Sequence, residues 1–175
     1  FPSMPLKFWN DKNNKKFEKA YFQRFKNIWH HGDYAEVKKS DGYIIYGRSD
    51  TTLNPGGVRL GTAEIYSEVE KFKQVKESIA VGQTWENDIR IILFVILNKG
   101  YDLNNDLVKK IKKQIRINAS PRHVPEKIIS VMDIPRTKNG KIVELAVKNT
   151  IEGNKIKNKE ALANPEILKE YVNIK

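Results

Sequence analysis

The stretch from Ile89 to Leu97 is apolar except for Arg90. It is far shorter than the ~20 residues that cross a bilayer as a helix. Its length and its β-branched content predict a strand, and apolarity along its whole course places that strand in the middle of a sheet. Ser78 to Val81 predicts a second strand, and Ile128 to Met132 a third, ended by Pro135. Ile65, Val69 and Phe72 fall on one helical face, with Thr62 as N-cap. Leu107, Ile111 and Ile115 mark a second amphipathic helix, and Ile142, Leu145 and Ala146 a third that begins just after Lys141. A polar, basic stretch from Glu152 to Glu160 precedes a short helix near Pro165 to Val172. These elements predict an α+β domain with a central three-stranded sheet flanked by helices.

Upstream the texture changes. Residues 1–29 are aromatic-rich without a clean period, and Lys12 to Lys19 predicts a polar helix. Tyr34 to Val37 and Tyr43 to Tyr46 predict a β-hairpin, with Asp41-Gly42 as its turn. Gly47 to Gly61 then reads as a loop holding four glycines and Pro55. No internal repeat is visible. The chain opens on Phe1-Pro2-Ser3, which suggests a fragment of something larger.

Composition narrows the partners. The chain has 175 residues, 39% of them hydrophobic and 30% charged, which suits a domain able to bury a core. It has no cysteine, so disulfides and thiolate metal sites are out, and a reducing cytoplasmic setting fits. The formal net charge of +11 could mark an anionic partner. The lysines are spread along the whole chain rather than gathered in a block, so most of that charge reads as solvated surface. A basic nucleic-acid-binding module is the less favoured alternative, and neither nucleic acid nor membrane is expected as a partner.

Three segments carry candidate chemistry. In the run from Gly47 to Ile65, glycines allow a ligand close to the backbone while Arg48 and Arg59 point to an anion. An ordinary surface loop explains the run equally well. In Pro135-Arg136-Thr137-Lys138-Asn139-Gly140-Lys141, the Asn-Gly pair forms a turn that holds a lysine at its tip, able to meet a phosphate or carboxylate. An exposed loop lysine is the plainer account. In Trp29-His30-His31-Gly32-Asp33, the aspartate could accept from a sugar diol. The two histidines read as hydrogen-bonded structural residues rather than metal ligands, because the chain holds three histidines in all and no clustered carboxylates accompany them. No metal site is expected.

Order and spacing raise the odds. Trp29-x-His31-Gly32-Asp33, then Asp41-Gly42-Tyr43, then the Gly47–Ile65 run, then Pro135 to Lys141, resembles the late core motifs of the adenylate-forming superfamily. That superfamily contains acyl-CoA synthetases, luciferases and peptide-synthetase adenylation domains. The resemblance covers nearly the whole chain, and the long glycine–arginine run is its specific part. Leu53-Asn54 is similar to the short-chain branch; Pro5 to Asn10, Ser120 to Pro125 and the tail to Val172 resemble the members that act on acetoacetate. His31 stands where the superfamily usually has threonine, a feature the acetoacetate branch shares. Acetate or propionate is the alternative acid.

The resemblance implies a mobile C-terminal lid (50–175) preceded by the hairpin and the tail (1–49) of a large N-terminal domain, which would be its partner. The substrates would be ATP, acetoacetate and CoA, with Mg²⁺ accompanying ATP. Asp33 and Arg48 would hold the ribose, Arg59 would lie near the nucleotide phosphate, and Asp50 would be the hinge. Lys141 would be the adenylation lysine. Gly57 would line the pantetheine tunnel, where a Cβ would narrow the channel, and Arg116 and Arg122 would meet the nucleotide phosphates of CoA. The phosphate loop and acyl pocket of such enzymes have no counterpart in these residues.

Overall fold

Asp11 caps the first helix. Its carboxylate accepts from the backbone N–H of Lys16 and of Phe17, each at 2.9 Å, and so satisfies the open end of α1 (Lys15–Tyr21) behind a 3-10 turn, Lys12–Asn14. The computed structural model describes residues 4–156, 158–172 and 174. The opening Phe1-Pro2-Ser3, and Lys157 within the basic stretch, lie outside the described residues. Two compact units emerge, 1–32 and 33–175. In the first, α1 turns Phe17 and Tyr21 toward Phe8 and Trp29, with ring centroids 5.3 to 5.9 Å apart in tilted or edge-on pairs.

The second unit starts with an antiparallel pair, β1 (Asp33–Val37) and β2 (Tyr43–Arg48). The turn between them differs from a tight Asp-Gly hairpin. Lys38 N–H donates to Gly42 O at 2.8 Å, and Asp41 rather than Gly42 takes the left-handed backbone (φ 58°). Aspartate tolerates that region better than most side chains. After a bridging segment comes α2 (Thr62–Val69), whose N-cap is Gly61 and not Thr62. Glu64 reaches back to accept from Gly61 N–H at 3.3 Å. Gly61 is required by packing: a Cβ there would sit 2.4 Å from Tyr46 O on β2. The helix ends at Val69, so Phe72 lies beyond it yet still packs on the same core.

β3 (Val75–Trp85) and β4 (Asp88–Leu97) form a long hairpin, and β5 (Lys127–Ser130) pairs in parallel with β4. The order β3-β4-β5 puts the apolar run in the centre, as its composition implies. β3 extends four residues past Val81, to a two-residue turn, Glu86-Asn87, both with positive φ. Both faces of β4 are covered. Ile91, Leu93 and Val95 pack with Ile65 and Val69 of α2 and with Leu107, Ile111 and Ile115 of α3 (Asn105–Asn118). Ile92, Phe94 and Ile96 pack with Val147 of α4 (Glu144–Ile151) and Tyr171 of a closing 3-10 helix, Pro165–Tyr171. Burying each such side chain is worth roughly 1.5–3 kcal/mol before chain entropy is set against it. The result is a helix–sheet–helix sandwich.

Candidate functional site

The strand pair β1–β2 sets the first group. Asp33 and Arg48 are register partners, and Arg48 Nη1 lies 3.3 Å from Asp33 Oδ1. The same guanidinium reaches Asp50 on its other side, Nε to Oδ1 at 3.6 Å. Arg48 is thus an exposed cation between two carboxylates at the exit of a strand. Arg59 joins through Tyr34, its guanidinium carbon 5.7 Å from the ring centroid. Four of the candidate residues therefore share one edge of the fold.

The glycine run is less of a free loop than its composition suggests. Gly47 and Arg48 belong to β2, Pro55–Gly57 form a 3-10 turn, and Leu53 and Leu60 exchange backbone hydrogen bonds at 3.0 and 2.8 Å while their side chains enter the core. The tip is held by Asp88, whose two oxygens accept from Gly56 N–H at 2.9 and 3.0 Å. The N–H groups of Ile89 and Gly56, with help from nearby Arg122, hold the Asp88 carboxyl below the usual carboxylate range. Gly56 and Gly57 differ. A Cβ on Gly56 would meet Arg122 Nη1 at 2.7 Å, whereas a Cβ on Gly57 meets no atom of this chain within 4 Å. What demands glycine at 57 within the domain is its φ of +75°. The space beside it is open.

Arg122 projects from a 3-10 turn, Pro121–His123, that is pinned twice. Ser120 Oγ accepts from Arg122 N–H at 3.2 Å and lies within hydrogen-bond distance, 2.8 Å, of His123 Nδ1. Arg122 and Pro55 face Trp85, Asp88, Arg90 and Glu126 across a cleft of about 390 Å³. Arg116 stands apart, exposed in the last turn of α3 and outside that cleft's lining.

Lys141 closes a hairpin whose backbone does the positioning. Gly140 N–H donates to Thr137 O at 2.8 Å with Gly140 at φ +78°, and Thr137 N–H donates to Lys141 O at 2.8 Å. Arg136 bridges Ile142 across the hairpin, and its side chain pairs with Glu77 on β3. The Lys141 ammonium itself has no hydrogen bond or ion pair among the described residues. The turn presents a solvated, unspent charge.

Sequence reasoning passed over Glu144, the first residue of α4. Its carboxylate accepts from Thr51 Oγ1 and from Tyr66 OH, each at 2.5 Å. Burial, and then the Glu144 charge, push the Tyr66 hydroxyl well above its ordinary pKa. Glu144 and Thr51 lie 93 positions apart, so no local pattern could have joined them. Asp88 was equally hidden, 32 positions from the glycine it caps. Among the described residues no group of three or more His, Cys, Asp or Glu could hold a metal ion, and no helix is long and apolar enough to cross a membrane.

The helix–sheet–helix unit and the strand pair before it have counterparts among known proteins. Residues 64–141 match the family described as the AMP-binding enzyme C-terminal domain. Over nearly all its length the chain is similar to acetoacetyl-CoA synthetases. It is 60% identical over 168 residues to the Rhizobium meliloti protein, covering 96% of this chain and 26% of that one. It is 46% identical over 175 residues to the Xenopus tropicalis protein, covering 99% and 26%. The solved structure of the Streptomyces lividans acetoacetyl-CoA synthetase superposes with a TM-score of 0.87 at 38% identity, over 98% of this chain and 26% of that one. The chain spans about a quarter of the length of these relatives.

Proposed function

We propose that this chain is the C-terminal part of a cytoplasmic ATP-dependent acid–CoA ligase acting on acetoacetate, with residues 1–49 finishing a large N-terminal domain and 50–175 forming a mobile lid. In the first half-reaction an acetoacetate carboxylate oxygen attacks the α-phosphorus of ATP and pyrophosphate leaves. In the second, the CoA thiolate attacks the acyl carbon and AMP leaves. Asp33 accepts from the ribose hydroxyls, with Arg48 beside it fixing the carboxylate's orientation and Arg59 near the nucleotide phosphate. Lys141 supplies positive charge to the oxygens gathering negative charge as pyrophosphate departs. Rotation about Asp50 withdraws Lys141 and brings the Gly57 tip to the pantetheine path, with Arg122, and Arg116 beyond it, facing the nucleotide phosphates of CoA. Mg²⁺ would enter with ATP, neutralising its phosphates, and no candidate ligand cluster for it lies among the described residues.

The observation that carries this reading is the glycine-punctuated turn that ends on Lys141, closing the segment that matches the AMP-binding enzyme C-terminal domain, with the Asp33–Arg48 pair upstream of it. A cation whose backbone is fixed by such a turn, and which is not already neutralised by a carboxylate, is suited to meet charge that appears in a transition state. The test is acetoacetate-dependent ATP–pyrophosphate exchange by the full-length protein, with acetate and propionate as competing acids. Exchange driven by acetoacetate above the others supports the reading; exchange with none of them overturns it. The 175-residue chain alone is expected to be inactive in this assay, since a lysine and one ribose-binding aspartate cannot position ATP.

A further inference from the structure

Asp50 is followed at once by a buried residue that is already committed to the sandwich. Thr51 is 9% exposed and gives its hydroxyl to Glu144, while Leu53, two residues on, is 1% exposed in the core. On the other side of Asp50, Arg48 is held in the β1–β2 pair opposite Asp33. Two residues, Ser49 and Asp50, separate these anchors. The downstream anchor is a single carboxylate that gathers three elements. Glu144 opens α4, Tyr66 on α2 donates to it, and the Tyr66 oxygen in turn accepts from Ala80 N–H on β3 at 3.1 Å. The hairpin that carries Lys141 runs straight into this point, since Val143 N–H donates to Pro135 O at 3.0 Å across its base.

We infer that Glu144 is a positioning residue that couples the pivot to the catalytic lysine. With Thr51 clamped to the start of α4, rotation at Ser49–Asp50 carries the Lys141 turn as part of one rigid body. Without the clamp, the residues after the pivot absorb part of the rotation and Lys141 arrives misplaced. An error of about 1 Å in a group that acts on the transition state is enough to cost up to about 10²-fold in rate. Glutamine can accept from Tyr66 OH through its Oε1 and donate through its Nε2 to Thr51 Oγ1, so it keeps both contacts with one reversed, while alanine leaves both hydroxyls without the clamp. This inference rests on the function proposed above.

The experiment uses the full-length protein with Glu144→Ala, Glu144→Gln, Thr51→Val and, as a reference, Lys141→Ala. Thr51→Val keeps the shape of a buried residue and deletes only the donor, so it reports even if Glu144→Ala folds poorly. The readouts are pyrophosphate exchange, thioester formation from supplied acyl-adenylate, the KM for ATP, and the thermal midpoint. Glu144→Ala should lower the exchange kcat about tenfold, with Thr51→Val moving it the same way by about threefold and Glu144→Gln staying within about threefold of wild type. KM for ATP should change much less than kcat, because the ribose contacts at Asp33 and Arg48 lie upstream of the pivot and only Arg59 moves with the lid. A lowered thermal midpoint with exchange intact at permissive temperature would mean a purely structural Glu144 and would overturn the inference. So would equal loss in Glu144→Gln and Glu144→Ala. If Lys141→Ala loses exchange while Glu144→Ala and Thr51→Val keep it, this inference falls alone; if Lys141→Ala keeps exchange, the functional reading falls with it.

Discussion

The Gly56–Gly57 tip and the Lys138–Lys141 tip are both short turns punctuated by glycine at positive φ, but they are fastened in opposite ways. The first is held by side chains from distant strands and turns: Asp88 grips the Gly56 N–H, and Arg122 lies against the Gly56 Cα. The second is held mostly through backbone groups: Thr137 is bonded to both Gly140 and Lys141, and Lys138 N–H donates to Ala161 O beside the Thr137–Leu162 bridge, while the Lys141 ammonium has no partner among the described residues. Beside the first tip the space next to Gly57 is open, and at the second the backbone is gripped while the lysine side chain stays in solvent. The same residue types thus serve two ends, and the difference lies in who makes the hydrogen bonds.

The largest test of that contrast is Lys141→Ala. If the second tip exists to deliver one charge, its loss should reduce adenylation by about 10²–10³ while thioester formation from supplied acyl-adenylate stays near wild type. Equal loss in both half-reactions would erase the distinction between the tips. Asp50→Pro should act next most strongly, and in the reverse direction. Proline fixes φ near −65° and would hinder a pivot that needs two backbone states, slowing thioester formation by about tenfold and adenylation much less. Half-reaction rates measured on the same preparation decide it.

How much of this could be read from residues alone follows the range of the interactions. The central strand was legible because nine consecutive positions, 89–97, are apolar but for Arg90, and Arg90 itself is buried by Gln83, Glu126 and the face of Trp85. The Lys141 turn was legible because Asn139-Gly140 specifies it locally. The N-cap of α2 was misread because Thr62 has the right chemistry, whereas the decisive fact is a clash of any Cβ at 61 with Tyr46, a contact set by tertiary packing. The hairpin turn was misread for a related reason: two adjacent residues, Asp41 and Gly42, can both take positive φ, and sequence cannot say which one does. The clamps formed by Glu144 and Asp88 were invisible because each joins segments that only the folded sheet brings together.

Between the two glycines of the first tip the structure draws a sharp line, and Gly56→Ala tests it. A Cβ at 56 must displace the end of Arg122, a flexible group, and must also tolerate φ +57°. The side chain can move at modest cost, while the backbone strain is about 1–2 kcal/mol. The expected outcome is a several-fold rise in the KM for CoA in the full-length protein, with adenylation unaffected. An unchanged KM for CoA would separate Arg122 from the CoA path.

The smallest expected effect concerns Asp88, which fastens the first tip from outside. Its folded-state pKa is lowered below 3.8 first by the Ile89 N–H, next by the Gly56 N–H, and also by the Arg122 charge. A lowered carboxyl pKa means that its contribution is complete above the unfolded value of 3.8 and is lost as pH falls through the folded value. The group is exposed, so the contribution is small and local rather than global. Asp88→Asn should therefore reduce hydrogen-exchange protection of the Gly56 amide at neutral pH, while leaving the amides of β4 as slow as before. On acidification the wild-type protection should fall toward that of the variant, and the variant should show little change. Wild-type protection that stays constant through the acid range would mean that the tip owes its form to backbone hydrogen bonds, as the lysine turn mostly does, and the contrast between the two would vanish.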